Sequence, residues 1–157
     1  MLGTGGFRRL GGACLILSPA LTGGRQWLGG VSEHFLVDDA DPAIWLSGTL
    51  EAPRPITSIT YQSFYSSMKG YAGRLVESDG EEEVDFSGFD CLAALRHMGV
   101  ATLCLDEAHH LRNEWWHALE ELVRQFPGLR IISLTATPPY DASPAGWQRY
   151  IDLCGPI

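Results

Sequence analysis

The chain has 157 residues, 45% of them hydrophobic and 19% charged, with 11 basic against 19 acidic side chains and a net charge of −8. That length suits one domain with a real core, and the composition is that of a folded protein rather than a fibrous or disordered one. The acidic balance excludes a histone-like binder that gains its affinity from many phosphate contacts, but leaves room for local contacts through backbone amides and a few side chains.

No segment reaches the about 18 continuous apolar residues of a membrane span, and no signal peptide stands out. A soluble, cytoplasmic protein with no membrane partner is therefore expected. Cys14, Cys91, Cys104 and Cys154 are widely scattered with no C-x-x-C pair, so reduced, buried thiols are expected rather than a metal or redox site.

In chain order, 1–12 reads as a flexible, Gly-rich N-terminus and 13–157 as one domain. Short apolar runs at Ala13 to Leu17, Ile44 to Leu46, Ile56 to Tyr61, Val100 to Leu105 and Leu129 to Leu134 have the two-faced character of strands in a helix-covered parallel sheet. Between 69 and 87, six acidic residues (Glu77, Asp79, Glu81, Glu82, Glu83 and Asp85) fall within nine positions. The segment reads as a solvated, mobile acidic loop.

Phe89 to Met98 reads as a helix ending at Gly99. Asn113 to Phe126 reads as a second, with Trp116, Leu119, Leu122, Val123 and Phe126 on one stripe and a stop at Pro127-Gly128. Ala145 to Cys154, after Pro144, is a third. The alternation predicts right-handed crossovers and a three-layer α/β sandwich with a mainly parallel sheet, whose ligands sit beyond the strands' carboxyl ends.

Two of those ends carry chemistry. The run from Val100 delivers Asp106 and Glu107 to the point where the chain leaves the sheet, followed by Ala108, His109 and His110. Adjacent carboxylates emerging from an apolar strand need compensation, and Mg²⁺ supplies it with one or two carboxylates, waters and substrate phosphates. Asp106 would then orient the metal through water and Glu107 would polarise an attacking water, with His109 bonding neighbouring loops. Alternatively, the two carboxylates cap the helix near Asn113 or face solvent. A zinc hydrolase built on Asp106, His109, His110 and His117 is a further reading, but no His-Glu-x-x-His helix accompanies it. The next strand ends in Thr135, Ala136 and Thr137 before Pro138 and Pro139. These small hydroxyl residues permit close packing on the Asp106 loop.

Leu105 to His109 resembles motif II, the Walker B box, of superfamily 2 DEAD/DEAH-box helicases, and Leu134-Thr135-Ala136-Thr137-Pro138 resembles their motif III at a family-like spacing. Leu15 to Leu21 followed by Gln26-Trp27 resembles motif Ia, and Ile59 to Phe64 resembles the Thr-Tyr-Gln segment of the same family. The resemblance implies an incomplete RecA-like P-loop NTPase domain, the first motor domain of an ATP-dependent helicase or translocase. Its cofactors would be ATP and Mg²⁺. Asp106, Glu107, Ala108, His109, Thr135, Ala136 and Thr137 would lie at the nucleotide, with Asp106, Glu107 and His109 catalytic. Pro19, Gln26, Thr60 and Gln62 would lie at the nucleic acid, DNA ahead of RNA.

The family's lysine-bearing phosphate loop is not matched, because Leu2 to Arg9 is glycine-rich but lacks the Gly-Lys-Ser/Thr ending. The chain reads as a truncated helicase domain, inactive alone and needing a second RecA-like domain. The alternative is a catalytically dead binding module of the same descent. A missing first strand and helix would leave an exposed sheet edge and a tendency to associate.

Overall fold

The computed structural model describes residues 11–36, 39–135 and 143–155. β1 (Ala13–Ser18), β2 (Leu46–Ser47), β3 (Ile56–Thr60), β6 (Val100–Asp106) and β7 (Arg130–Leu134) form one sheet in the order β2-β3-β1-β6-β7. Every pairing in it is parallel. The α/β sandwich expected from the alternating runs is therefore the observed architecture. Leu15, Leu17, Leu103 and Leu105 of the central strands are fully buried, as strands covered on both faces require.

One face carries α1 (Leu21–His34), packed over β1, β2 and β3. The other carries α3 (Tyr61–Lys69), α4 (Cys91–Met98), α5 (Asn113–Gln125) and α6 (Pro144–Cys154). There Leu119 and Leu122 of α5 are fully buried in the core with Tyr61 and Phe64 of α3. α6 joins through Tyr150, edge-on to Trp116 at 6.4 Å. A single turn, α2 (Pro42–Trp45), precedes β2.

Three expectations are corrected. Ile44 and Trp45 are not strand, because Asp41 accepts a hydrogen bond from the Ala43 amide and Pro42 sits at the first helical position, which starts a turn. Tyr61 opens α3 instead of closing β3, because the Thr60 hydroxyl caps the helix at the Ser63 amide (3.0 Å). The acidic stretch within 69–87 is not a loop. It folds as an antiparallel hairpin of β4 (Ala72–Glu77) and β5 (Gly80–Asp85), with a small core of Leu75, Val84 and Phe86. Glu81, Glu83 and Asp85 alternate outward, while Glu77 and Glu82 share the faces of Leu75 and Val84 and are half-buried.

Helix α1 was not expected at all, since Gly23, Gly24, Gly29 and Gly30 each weaken it by about 1 kcal/mol relative to alanine. Gly24 is the buried one of the four. It faces Ser18 and Ser58, where a Cβ would make ordinary contact at 3.4 Å and 3.5 Å from their Oγ atoms.

All four cysteines are free thiols; Cys91 and Cys104 are buried, while Cys14 and Cys154 are half-buried. Burial pushes the Cys14 and Cys91 thiols up to about 11 and Cys104 to about 12. At pH 8 only about a thousandth of a thiol titrating near 11 is thiolate, the reactive form. An Ellman titration of the native chain is therefore expected to proceed far more slowly than after denaturation, when all four thiols should react at once. Rapid native labelling of Cys91 or Cys104 would contradict the burial.

Candidate functional site

Parallel strands put all their carboxyl ends on one edge of the sheet, so Ser18, Thr60 and Asp106 end β1, β3 and β6 there, and Thr135 follows β7. Asp106 is gripped from both layers. Its Oδ2 accepts a hydrogen bond from Trp27 Nε1 of α1 (2.9 Å), and its backbone carbonyl accepts one from the Tyr61 hydroxyl of α3 (2.8 Å). Burial, and secondarily the Asp106 charge, pushes the Tyr61 hydroxyl far above its ordinary range, so it remains a neutral donor.

Glu107 follows in the left-handed region (φ 49°, ψ 47°), alone in having positive φ among the described non-glycine residues. Such a conformation costs on the order of 1–3 kcal/mol and persists where surrounding contacts impose it. It turns the chain into a single 3₁₀ turn (Ala108–His110) and sends the Glu107 carboxylate to the rim. Here Nδ1 of His109 lies 3.2 Å from Glu107 Oε2 and 2.6 Å from Thr135 Oγ1. His109 thus ties the loop after β6 to the loop after β7, as the small hydroxyl residue there suggested. Ala108 is buried beneath the turn. Ala136 and Thr137 lie outside the described residues.

The alternative of Asp106 or Glu107 as a helix cap is not what forms. The residue before α5 is Arg112, with no side-chain cap bond. His117 sits exposed on α5 beside Glu120 (3.3 Å). Among the described residues no three His, Cys, Asp or Glu side chains converge as a metal would need.

The four residues expected at nucleic acid divide between two places. Pro19 and Gln62 line a cavity of about 450 Å³ with Ala20, Arg112, Trp115 and the hairpin's Val76 to Ser78. Gln62 Oε1 accepts from Trp115 Nε1 at 3.3 Å. Thr60 sits beside them, its hydroxyl 2.5 Å from Glu77 Oε1. Gln26 instead faces a different cavity, of about 280 Å³, with Gly23, Trp27, Val31 and Asp106.

Sequence reasoning did not single out Glu77, Asp79 or Arg112 as contributors to this edge. Trp27 and Tyr61 carried a signal, standing inside the segments that resemble motif Ia and the Thr-Tyr-Gln run, but neither was given a role toward Asp106.

The donor set is all oxygen, with the Asp106 carboxylate committed to Trp27 by one atom and Glu107 at the rim, so it suits a magnesium ion held chiefly by waters and substrate phosphates. Among the described residues no lysine reaches this edge: Lys69, the chain's only lysine, closes α3 over the Tyr65 ring (5.9 Å).

The chain matches no protein-family profile and no curated protein. Among solved structures it is similar to the Hef helicase domain of Pyrococcus furiosus, with a TM-score of 0.58 and 18% identity. The alignment covers 92% of this chain and 27% of that one, so the chain spans about a quarter of the helicase chain it matches. The α/β fold, a five-stranded parallel sheet flanked by helices, is thereby similar to that of a helicase RecA-like domain. Among the described residues no helix is long and apolar enough to cross a membrane.

Proposed function

We propose that this chain is a portion of an ATP-dependent helicase or translocase, contributing a DEAH-type carboxylate loop and a motif III-like contact to a site completed by other segments. The observation that carries the reading is the His109–Thr135 contact, 2.6 Å long. It joins the loops that follow two adjacent strands, at the edge where such sheets bind ligands.

Magnesium bound with a nucleotide would supply charge neutralisation there. The chain's own groups hold Asp106 between Trp27 and Tyr61, present Glu107 at the rim, and set the His109 ring by its partners. Pro19, Thr60 and Gln62 are offered as the nucleic-acid side, with DNA ahead of RNA and a second RecA-like domain as the partner that completes catalysis. On this reading the isolated chain does not turn over ATP.

A specific observation also favours the second reading, a binding module that has lost catalysis. The lone lysine lies away from the site, and Asp106 is already hydrogen-bonded by Trp27.

Equilibrium binding of a fluorescent ATP analogue, with and without Mg²⁺, separates the two. Mg²⁺-dependent binding weakened in Glu107→Gln or Asp106→Asn supports the incomplete motor, whereas nucleic-acid binding with no nucleotide binding supports the module. In both cases the ATPase rate is expected to stay at background with or without nucleic acid. A stimulated rate that Glu107→Gln abolishes would overturn the claim of inactivity.

A further inference from the structure

The β4–β5 hairpin lies across the ground assigned to nucleic acid, and it makes its contacts with carboxylates. At its turn, Asp79 takes two open amides at the start of α1: Oδ1 accepts from Leu21 N at 3.1 Å and Oδ2 from Thr22 N at 2.6 Å. Helix α1 has no side-chain cap of its own, since Ala20 occupies the capping position, so Asp79 satisfies donors that would otherwise go to water. Two residues earlier, Glu77 takes the Thr60 hydroxyl at 2.5 Å. Paired backbone amides at a helix start, with a threonine hydroxyl beside them, are donors of the kind that hold phosphate oxygens.

Two cavities of mixed polarity adjoin the hairpin. One bears Arg112, Gln62 and Pro19 beside Glu77. The other, of about 170 Å³, is lined by Gly24, Arg25, Ser58, Thr60, Ser63 and Glu82, among others. Ser58 is 3% exposed, and its Oγ has no hydrogen-bond partner among the described residues. A buried hydroxyl in that state calls for a further polar group in the cavity it lines.

The hairpin is also built to be separable. Its core of Leu75, Val84 and Phe86 is a small cluster that touches the main core through Phe89, and it joins α3 through Gly70, in the left-handed region at φ 64°. Its closed position carries an electrostatic cost. Burial raises the Glu77 and Glu82 carboxyls above their ordinary range, with Asp79 adding to Glu77, and Glu51 and Glu77 to Glu82; the Thr60 hydrogen bond and Arg112 offset part of the first shift, Arg25 part of the second.

We propose that the hairpin is an autoinhibitory clasp, in which Asp79 and Glu77 occupy the positions of nucleic-acid phosphates on Leu21, Thr22 and Thr60, so that a strand binds only when the clasp swings off. The proposal rests on the nucleic-acid reading above. Its energetic consequence is simple: if the open state is about a tenth of the population, the apparent affinity is reduced about tenfold.

The test uses the full chain with a fluorescein-labelled oligodeoxythymidine, read by anisotropy at low salt. Glu77→Gln with Asp79→Asn should bind about tenfold more tightly than the parent. Glu81→Gln with Glu83→Gln removes the same charge from exposed hairpin positions, and should gain less than about twofold if screened surface charge is all it changes. Amide exchange at Leu21 and Thr22 gives an independent readout, slow in the parent and faster in the Glu77/Asp79 pair.

If both pairs gain equally, or the parent binds as tightly as the Glu77/Asp79 pair, the clasp is refuted while the nucleic-acid surface stands. If none of the chains binds the strand, the surface and the clasp fall together. Unchanged exchange at Leu21 and Thr22 refutes the Asp79 contact whatever the binding shows.

Discussion

Tyr61→Ala is expected to lower the unfolding free energy by about 3–5 kcal/mol, enough to consume a large share of the total for a domain of this size. Tyr61 is fully buried, opens α3, and stacks on Trp115 at 5.4 Å with rings 14° from parallel. Its hydroxyl donates to the Asp106 carbonyl. Truncation removes the ring that joins α3 to α5 and leaves the last carbonyl of β6 without that partner.

Tyr61→Phe isolates the hydroxyl. It should cost about 1–2 kcal/mol, because the packing stays while a part-buried acceptor loses its donor. Denaturant midpoints at unchanged slope measure both. An alanine variant within 1 kcal/mol of the parent would mean that Tyr61 does not carry this junction.

The second large effect concerns assembly. β7 pairs with β6 on one side and has no strand on its other side among the described residues. α1 covers β1 to β3 but does not reach over β7, so Ile132 and Leu134 remain 46% and 37% exposed. An open apolar edge of this kind invites pairing with another chain. The parent is expected to associate as its concentration rises, and Ile132→Lys with Leu134→Lys to remain monomeric throughout, as sedimentation velocity can read. A parent that sediments as a monomer and unfolds in one cooperative step would contradict this. If a longer protein supplies a strand here, adding that segment should suppress association as effectively as the lysines.

Much of the framework was legible because it rests on local pattern. β1, β6 and β7 are short apolar runs, and α5 repeats its large side chains at helical spacing. Trp115 escaped that stripe because it sits on the flank facing α3, where it stacks on Tyr61.

α1 was illegible for the opposite reason. Its glycines argue against a helix, and the seat of Gly24 on Ser18 and Ser58 is a contact that local pattern does not record. The hairpin was hidden by charge, since one inward Leu75 and one inward Val84 are a faint alternation among six carboxylates.

At the site, the carboxylates and His109 could be named from their motif. Their holders could not, because Trp27 meets Asp106 across 79 positions and Asp79 meets Leu21 across 58. No periodicity records contacts so distant in sequence.

β1 lies between β3 and β6, with Ala13 beside Val100 and Cys14 beside both Ile56 and Thr102. The middle of the sheet is thus made by two segments that lie far apart in the order of synthesis. Until β6 emerges, β1 can pair only on its β3 side. Its other edge and its buried leucines stay available to any strand nearby, in a topology whose distant pairings already make folding slow. The order of synthesis therefore sets a waiting period in the life of every copy, and chaperone dependence during translation should be greatest in the interval before residue 106 appears.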